Sequence, residues 1–93
     1  MNLDTDDAFL HAIVMNIDRR EWNVDKVREA YNLLIGLPAD DLKNLLRLMG
    51  HDIPAGGKHP LIEAIIVMAA NQPLLDVEQM LSWLSSFCAL VAA

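Results

Sequence analysis

The sequence predicts an all-α protein: a compact bundle of about five short helices, with a helix–extended loop–helix unit in its middle. Three observations carry that expectation. Apolar residues recur every three to four positions in five successive stretches. No stretch alternates in the manner of a half-buried strand, and no Asn-Gly or Asp-Gly hairpin turn occurs. The 93-residue chain is 54% hydrophobic before glycine is counted, where about 45–50% with glycine included is usual. Such a chain is not disordered, and it has apolar surface to spare for a partner.

The first helix is expected over about residues 5–20, from the stripe Phe9, Leu10, Ile13, Val14 and Ile17. Thr5 is the candidate cap. Asp6 and Asp7 suit the positive end of the helix dipole, and Arg19 and Arg20 suit the negative end. A second helix follows over about 24–35, capped by Asn23 and carrying Val24, Val27, Tyr31 and Leu34. Gly36 is expected to stop it in a left-handed conformation. The third runs over about 38–49, with Pro38 in its first turn, a face of Leu42, Leu45, Leu46 and Met49, and Gly50 at its end.

Residues 51–59, HDIPAGGKH, are the one substantial loop, because Pro54 and the Gly56-Gly57 pair resist regular structure. The fourth helix is expected over about 60–71. Leu61, Ile62, Ile65, Ile66 and Met68 wrap most of its circumference, which makes it the central helix. Pro73 breaks the chain after it. The fifth covers about 76–91, capped by Asp76 and carrying Val77, Met80, Leu81, Leu84, Phe87, Cys88 and Val91. A length of 93 residues without repeats or low-complexity segments reads as one domain, residues 1–93.

Thirteen acids against seven bases give a formal charge of −6. Residues 1–18 hold four acids and no base, residues 19–58 hold all seven bases, and residues 59–93 hold three acids and no base. Broad phosphate binding needs clustered Lys and Arg, so any anion site belongs to the middle block. The single cysteine, Cys88, excludes an intramolecular disulfide and reads as a small core residue. His11, His51 and His59 are scattered, without HxxxH or CxxC spacing, so no metal is expected. No cofactor signature and no catalytic constellation is present; the paired carboxylates Asp6-Asp7 and Asp40-Asp41 sit at helix starts, where capping accounts for them. The start MNLDTDD is the opposite of a signal peptide's basic region, and the apolar run at the C-terminal end is shorter than a membrane span. The expectation is a cytoplasmic protein without a membrane partner.

The stretch LPADDLKNLLRLMGHDIPAGGKHPLIEAIIVM, residues 37–68, resembles the SAP motif of many nucleic-acid-associated proteins. Leu42, Leu45 and Leu46 match its leucine-rich first helix, Gly50 its stop, and Gly56, Lys58, Leu61 and Ile62 the Gly-x-Lys-x-x-Leu-Ile start of its second helix. The loop is one residue longer than in that pattern, position 60 is Pro in place of an acid, and position 64 is Ala in place of a base. The resemblance implies two leucine-packed helices with Ile53 plugging them. It also implies a nucleic-acid contact through Lys43, Arg47 and Lys58, with Lys58 at a helix N-terminus that favours an anion.

Trp22 reads as a residue closing the edge of the core. Trp83 departs from the main stripe of the fifth helix and shares an edge with Leu90, seven residues on, while Phe87 reads either as core or as part of that interface. Trp is enriched at interaction hot spots. Met49, Met68 and Met80 read as core filling. The leading expectation is therefore a non-enzymatic protein–protein interaction or regulatory module, with Trp83, Phe87 and Leu90 as its interface and another protein or a second copy as its partner. The alternative is a SAP-like nucleic-acid-binding module, which the net charge disfavours.

Overall fold

Five helices follow in order: α1 (Leu3–Met15), α2 (Val24–Ile35), α3 (Ala39–Leu48), α4 (Lys58–Ala70) and α5 (Val77–Ala92). The computed structural model describes the backbone of residues 3–92 and the side chains of residues 7–91. No strand occurs among the described residues. Leu61, Ile62, Ile65, Ile66, Ala69 and Ala70 of α4 are all buried, and α1, α2, α3 and α5 all pack against it. The apolar pattern of α4 thus has its physical cause: one broad face is buried among its neighbours, and Ala64, Val67 and Met68 on the other side are half-buried. Leu42, Leu45 and Leu46 of α3 and Val27, Ala30 and Leu34 of α2 close the core from two sides. The radius of gyration, 12.4 Å, is close to the roughly 12 Å expected of one domain this long.

Local rules account for most element ends. Asn23 accepts a hydrogen bond from the Lys26 amide at 3.1 Å and so caps α2. Asp76 and Gln79 form a reciprocal capping box at the start of α5, with bonds of 2.8 and 3.0 Å between each side chain and the other's amide. α3 ends in a Schellman motif: the Gly50 amide bonds to the Arg47 carbonyl and the His51 amide to the Leu46 carbonyl. That motif needs a left-handed residue, and Gly50 supplies it with φ 76°. Pro38 stands at the N-cap of α3, one residue outside the helix. Pro60 sits in the first turn of α4, where its missing N–H costs nothing.

Three sequence expectations are corrected. α1 stops at Met15 instead of about 20, and the Asn16 and Ile17 amides close the last turn onto the Ile13 and Val14 carbonyls. The chain then runs irregularly to Asn23, and Arg19 within this segment reaches other carbonyls, as described below. α1 also begins at Leu3, so Thr5 lies within the helix and does not cap it; the side chains of Thr5 and Asp6 lie outside the described residues. Gly36 is not left-handed. It continues in a right-handed conformation at φ −77° and ψ −8°, and its amide bonds back to the Leu34 carbonyl in the closing turn of α2.

Candidate functional site

α5 carries two stripes. Val77, Met80, Leu81 and Leu84 are buried, and Phe87, Cys88 and Val91 continue that line half-buried, mostly against α2. A second stripe of Gln79, Trp83, Ser86 and Leu90 faces outward and is exposed. Its spacing of four, three and four residues is the seam of a helix awaiting another helix. Trp83 is 43% exposed and Leu90 76%. The Trp83 and Phe87 rings stack, with centroids 6.1 Å apart and planes 17° from parallel. Beside Trp83 lies a cleft of about 190 Å³ walled by Met49, Gln72, Leu75 and Met80. Leu48 and Leu74, each next in sequence to a wall residue, are 75% and 89% exposed.

Of the three sequence-assigned interface residues, Trp83 and Leu90 share the exposed edge of α5, and Phe87 lies half-buried beside it, stacked on Trp83. The wall opposite Trp83 is not legible in the sequence. Met49 comes from the end of α3 and Leu75 from the connection after α4; only the fold brings them to Trp83. Met80 is buried, as core filling requires, yet its edge also lines this cleft.

The basic residues are used differently from the sequence expectation. Lys58 Nζ donates to the Ile35 carbonyl at 3.1 Å, the last residue of α2. It serves as a cap for a foreign helix end and does not project toward an anion. Arg19 does the same for α4. Its guanidinium donates to the Ala70 carbonyl at 3.4 Å, to the Leu75 carbonyl at 3.0 Å and to the Gln72 carbonyl. Neither α2 nor α4 has a base in its own last turn, so each borrows one from a distant segment to meet its unpaired carbonyls. Arg47 donates to Asn44 Oδ1 at 2.8 Å on its own helix. Lys43 borders a cleft of about 300 Å³ with Ile53, Gly56 and Gly57. In the α3–α4 pair Leu42, Leu45, Leu46, Leu61 and Ile62 are buried, and Ile53 is packed half-buried against the core. Gly56 has φ 111°, and a Cβ there would meet Pro60 Cγ at 3.2 Å.

The other candidates settle into structural roles. Trp22 is 1% exposed within the core, and its Nε1 finds no hydrogen-bond partner among the described residues. Asp7 pairs with Arg28 at 2.6 Å. Lys26 bridges Glu78 at 2.6 Å and Glu29 at 3.3 Å, and these partners, Glu78 first, raise its ammonium pKa. The furrow between α2 and α5 that holds both carboxylates, about 510 Å³, thus has one lysine spanning two acids. His59 packs on the Phe9 ring with centroids 4.4 Å apart and meets the Tyr31 hydroxyl at 3.4 Å. His51 turns its Nδ1 to the Asp52 carbonyl. His51 and His59 are each engaged with different groups, and no trio of His, Cys, Asp or Glu among the described residues could hold a metal ion. Cys88 is half-buried, not fully buried as the sequence suggests. Its thiol donates to the Leu33 carbonyl at 3.2 Å, and burial pushes its pKa up. No helix among the described residues is long and apolar enough to cross a membrane.

No family model, curated protein or solved structure matches this chain.

Proposed function

We propose that this protein is a non-enzymatic interaction or regulatory module that docks a protein partner on the outer edge of α5. The observation that carries the reading is the stacked Trp83–Phe87 pair, left 43% exposed at Trp83 beside a cleft walled by Met49, Leu75 and Met80. A Trp anchor with an adaptable methionine wall is the composition of an interaction hot spot. The polar and charged side chains described are exposed or half-buried, whereas strongly perturbed acid–base groups depend on burial; this supports a non-catalytic role. Cytoplasmic residence belongs to this reading, supported by a single unpaired cysteine.

The test compares wild type with Trp83→Ala and Leu90→Ala in sedimentation and in quantitative affinity capture from the native host. The expected result is an association that both substitutions weaken at least tenfold while the helical circular dichroism is kept. Retention of every interaction by Trp83→Ala overturns the reading, as does turnover of a substrate by the isolated protein.

A nucleic-acid-binding role is the second reading, favoured by Lys43 and by the start of α4 beside it, which has no side-chain cap. It rests on Lys43 and Arg47, since Lys58 is spent on Ile35. It predicts salt-dependent binding whose slope falls by about one on Lys43→Ala. No binding to any duplex or single strand in low salt removes it.

A further inference from the structure

We infer that the partner on α5 is a second copy of this chain, docked antiparallel about a two-fold axis near Ser86 and Phe87; this rests on the interaction-module reading above. The first argument is charge. Each copy carries −6, yet no side chain after Glu78 is charged. The exposed seam of Gln79, Trp83, Ser86 and Leu90 is neutral from end to end. Two acidic copies can meet there without bringing like charges together, whereas a basic foreign partner would find no acid in the seam to pair with.

The second argument is self-complementarity. A two-fold interface requires that if one residue meets another, the reverse contact also holds. With the axis between Ser86 and Phe87, Trp83 meets the partner's Leu90 and Ser86 meets the partner's Phe87. Large side chains oppose each other at both ends, and a small one opposes a ring at the centre, which lets the helices approach. The pairing direction follows from the acids at the start of α5. In a parallel pair the two Asp76 residues, seven positions before Trp83 on the same face, would face each other, whereas Glu78 is turned to Lys26. In the antiparallel pair the two Asp76 residues lie about 30 Å apart along the axis, well beyond the screening length of about 8 Å. Opposed helix dipoles add to the same preference.

The edge spans two helical turns, less than the roughly 800 Å² per partner of a standard stable interface. Even with Met49 and Leu75 contributing beside Trp83, the dimer is expected to dissociate in the micromolar range. Sedimentation from about 1 to several hundred micromolar reads this directly, with a shift from monomer to dimer in wild type and a loss of at least tenfold in affinity for Trp83→Ala. Direction is read by cross-linking with a short bismaleimide in a Cys88→Ser background. That substitution keeps a donor for the Leu33 carbonyl. Ser86→Cys places the two thiols about 1.5 Å apart along the axis, and Ser82→Cys about 14 Å apart. Both positions are exposed, so neither cysteine endangers the fold.

Dimer formation with strong cross-linking at 86 and little at 82 supports the inference. Equal cross-linking at both positions means a parallel pair and overturns it. A dimer that Trp83→Ala leaves intact places the contact elsewhere and also overturns it. A strict monomer whose foreign partner is lost on Trp83→Ala overturns the dimer while leaving the interaction-module reading in place. A monomer with no Trp83-dependent partner sinks both.

Discussion

α4 and α5 are both strongly apolar, and they use that character in opposite ways. Four helices pack around α4; six of its apolar residues are buried, and Ala64, Val67 and Met68 are half-buried. α5 rests mainly on α2 and shows Trp83 and Leu90 to solvent. The difference lies in the neighbours, not in the composition. An apolar helix is core where the fold surrounds it, and an offered surface where the fold covers only one stripe.

The largest effect expected from this contrast is on stability. Ile65 is fully buried in α4, and Ile65→Ala should cost about 2–5 kcal/mol in urea unfolding. Leu90→Ala in dilute solution should stay within about 0.5 kcal/mol. Similar losses for both would break the distinction between the two helices.

Next in size is the borrowed cap on α4. Arg19 is 23% exposed in its side chain and serves three carbonyls. Arg19→Ala should cost about 1–3 kcal/mol. The same site has a pH signature. The Glu21 carboxyl is held below its ordinary value, first by its own backbone N–H and further by Arg19, with burial opposing. A lowered folded-state value means that Glu21 contributes stability above the ordinary carboxylate range, lost as the pH falls through the lowered one. Thermal unfolding across the acid range should show that loss, and Arg19→Ala should flatten part of it. An unchanged profile would remove Arg19 from the account.

Smaller still is the contrast between two glycines that close neighbouring helices. Gly50→Ala forces a left-handed alanine at φ 76° and should destabilise by about 1–2 kcal/mol. Gly36 has a right-handed backbone, and a Cβ added there would meet nothing within 4 Å. Gly36→Ala should therefore be neutral or stabilise by up to about 1 kcal/mol. The smallest effect concerns Cys88. Burial raises its pKa, so less thiolate is present near neutrality and alkylation should be several-fold slower than in the urea-unfolded chain. Equal rates would mean that the α2–α5 seam is open at Leu33.

Five helices and their core faces are legible in the sequence because helical spacing is local: Leu42, Leu45, Leu46, Ile62 and Ile65 declare their side by position alone. So are Asn23 and Asp76, whose caps reach only three residues. The roles of Arg19 and Lys58 are not legible, for one physical reason. A base near a helix end favours whichever carbonyls the fold brings to it, and here those belong to Ala70, Leu75 and Ile35, far away in sequence. The difference between Gly36 and Gly50 is hidden likewise, since a glycine after an apolar stretch permits a left-handed turn without requiring it. Of the candidate site, the Trp83–Leu90 edge can be read from its departure from the buried stripe. Its wall of Met49 and Leu75 cannot, being assembled from two other segments.

Trp22 is core, and Trp83 is left open to solvent on α5. Acrylamide quenching of tryptophan emission at sub-micromolar concentration tests it most directly. Two populations are expected: Trp22, shielded, and Trp83, readily quenched and absent from the Trp83→Phe variant. A single shielded population in the dilute protein, or quenching that survives Trp83→Phe, would contradict it.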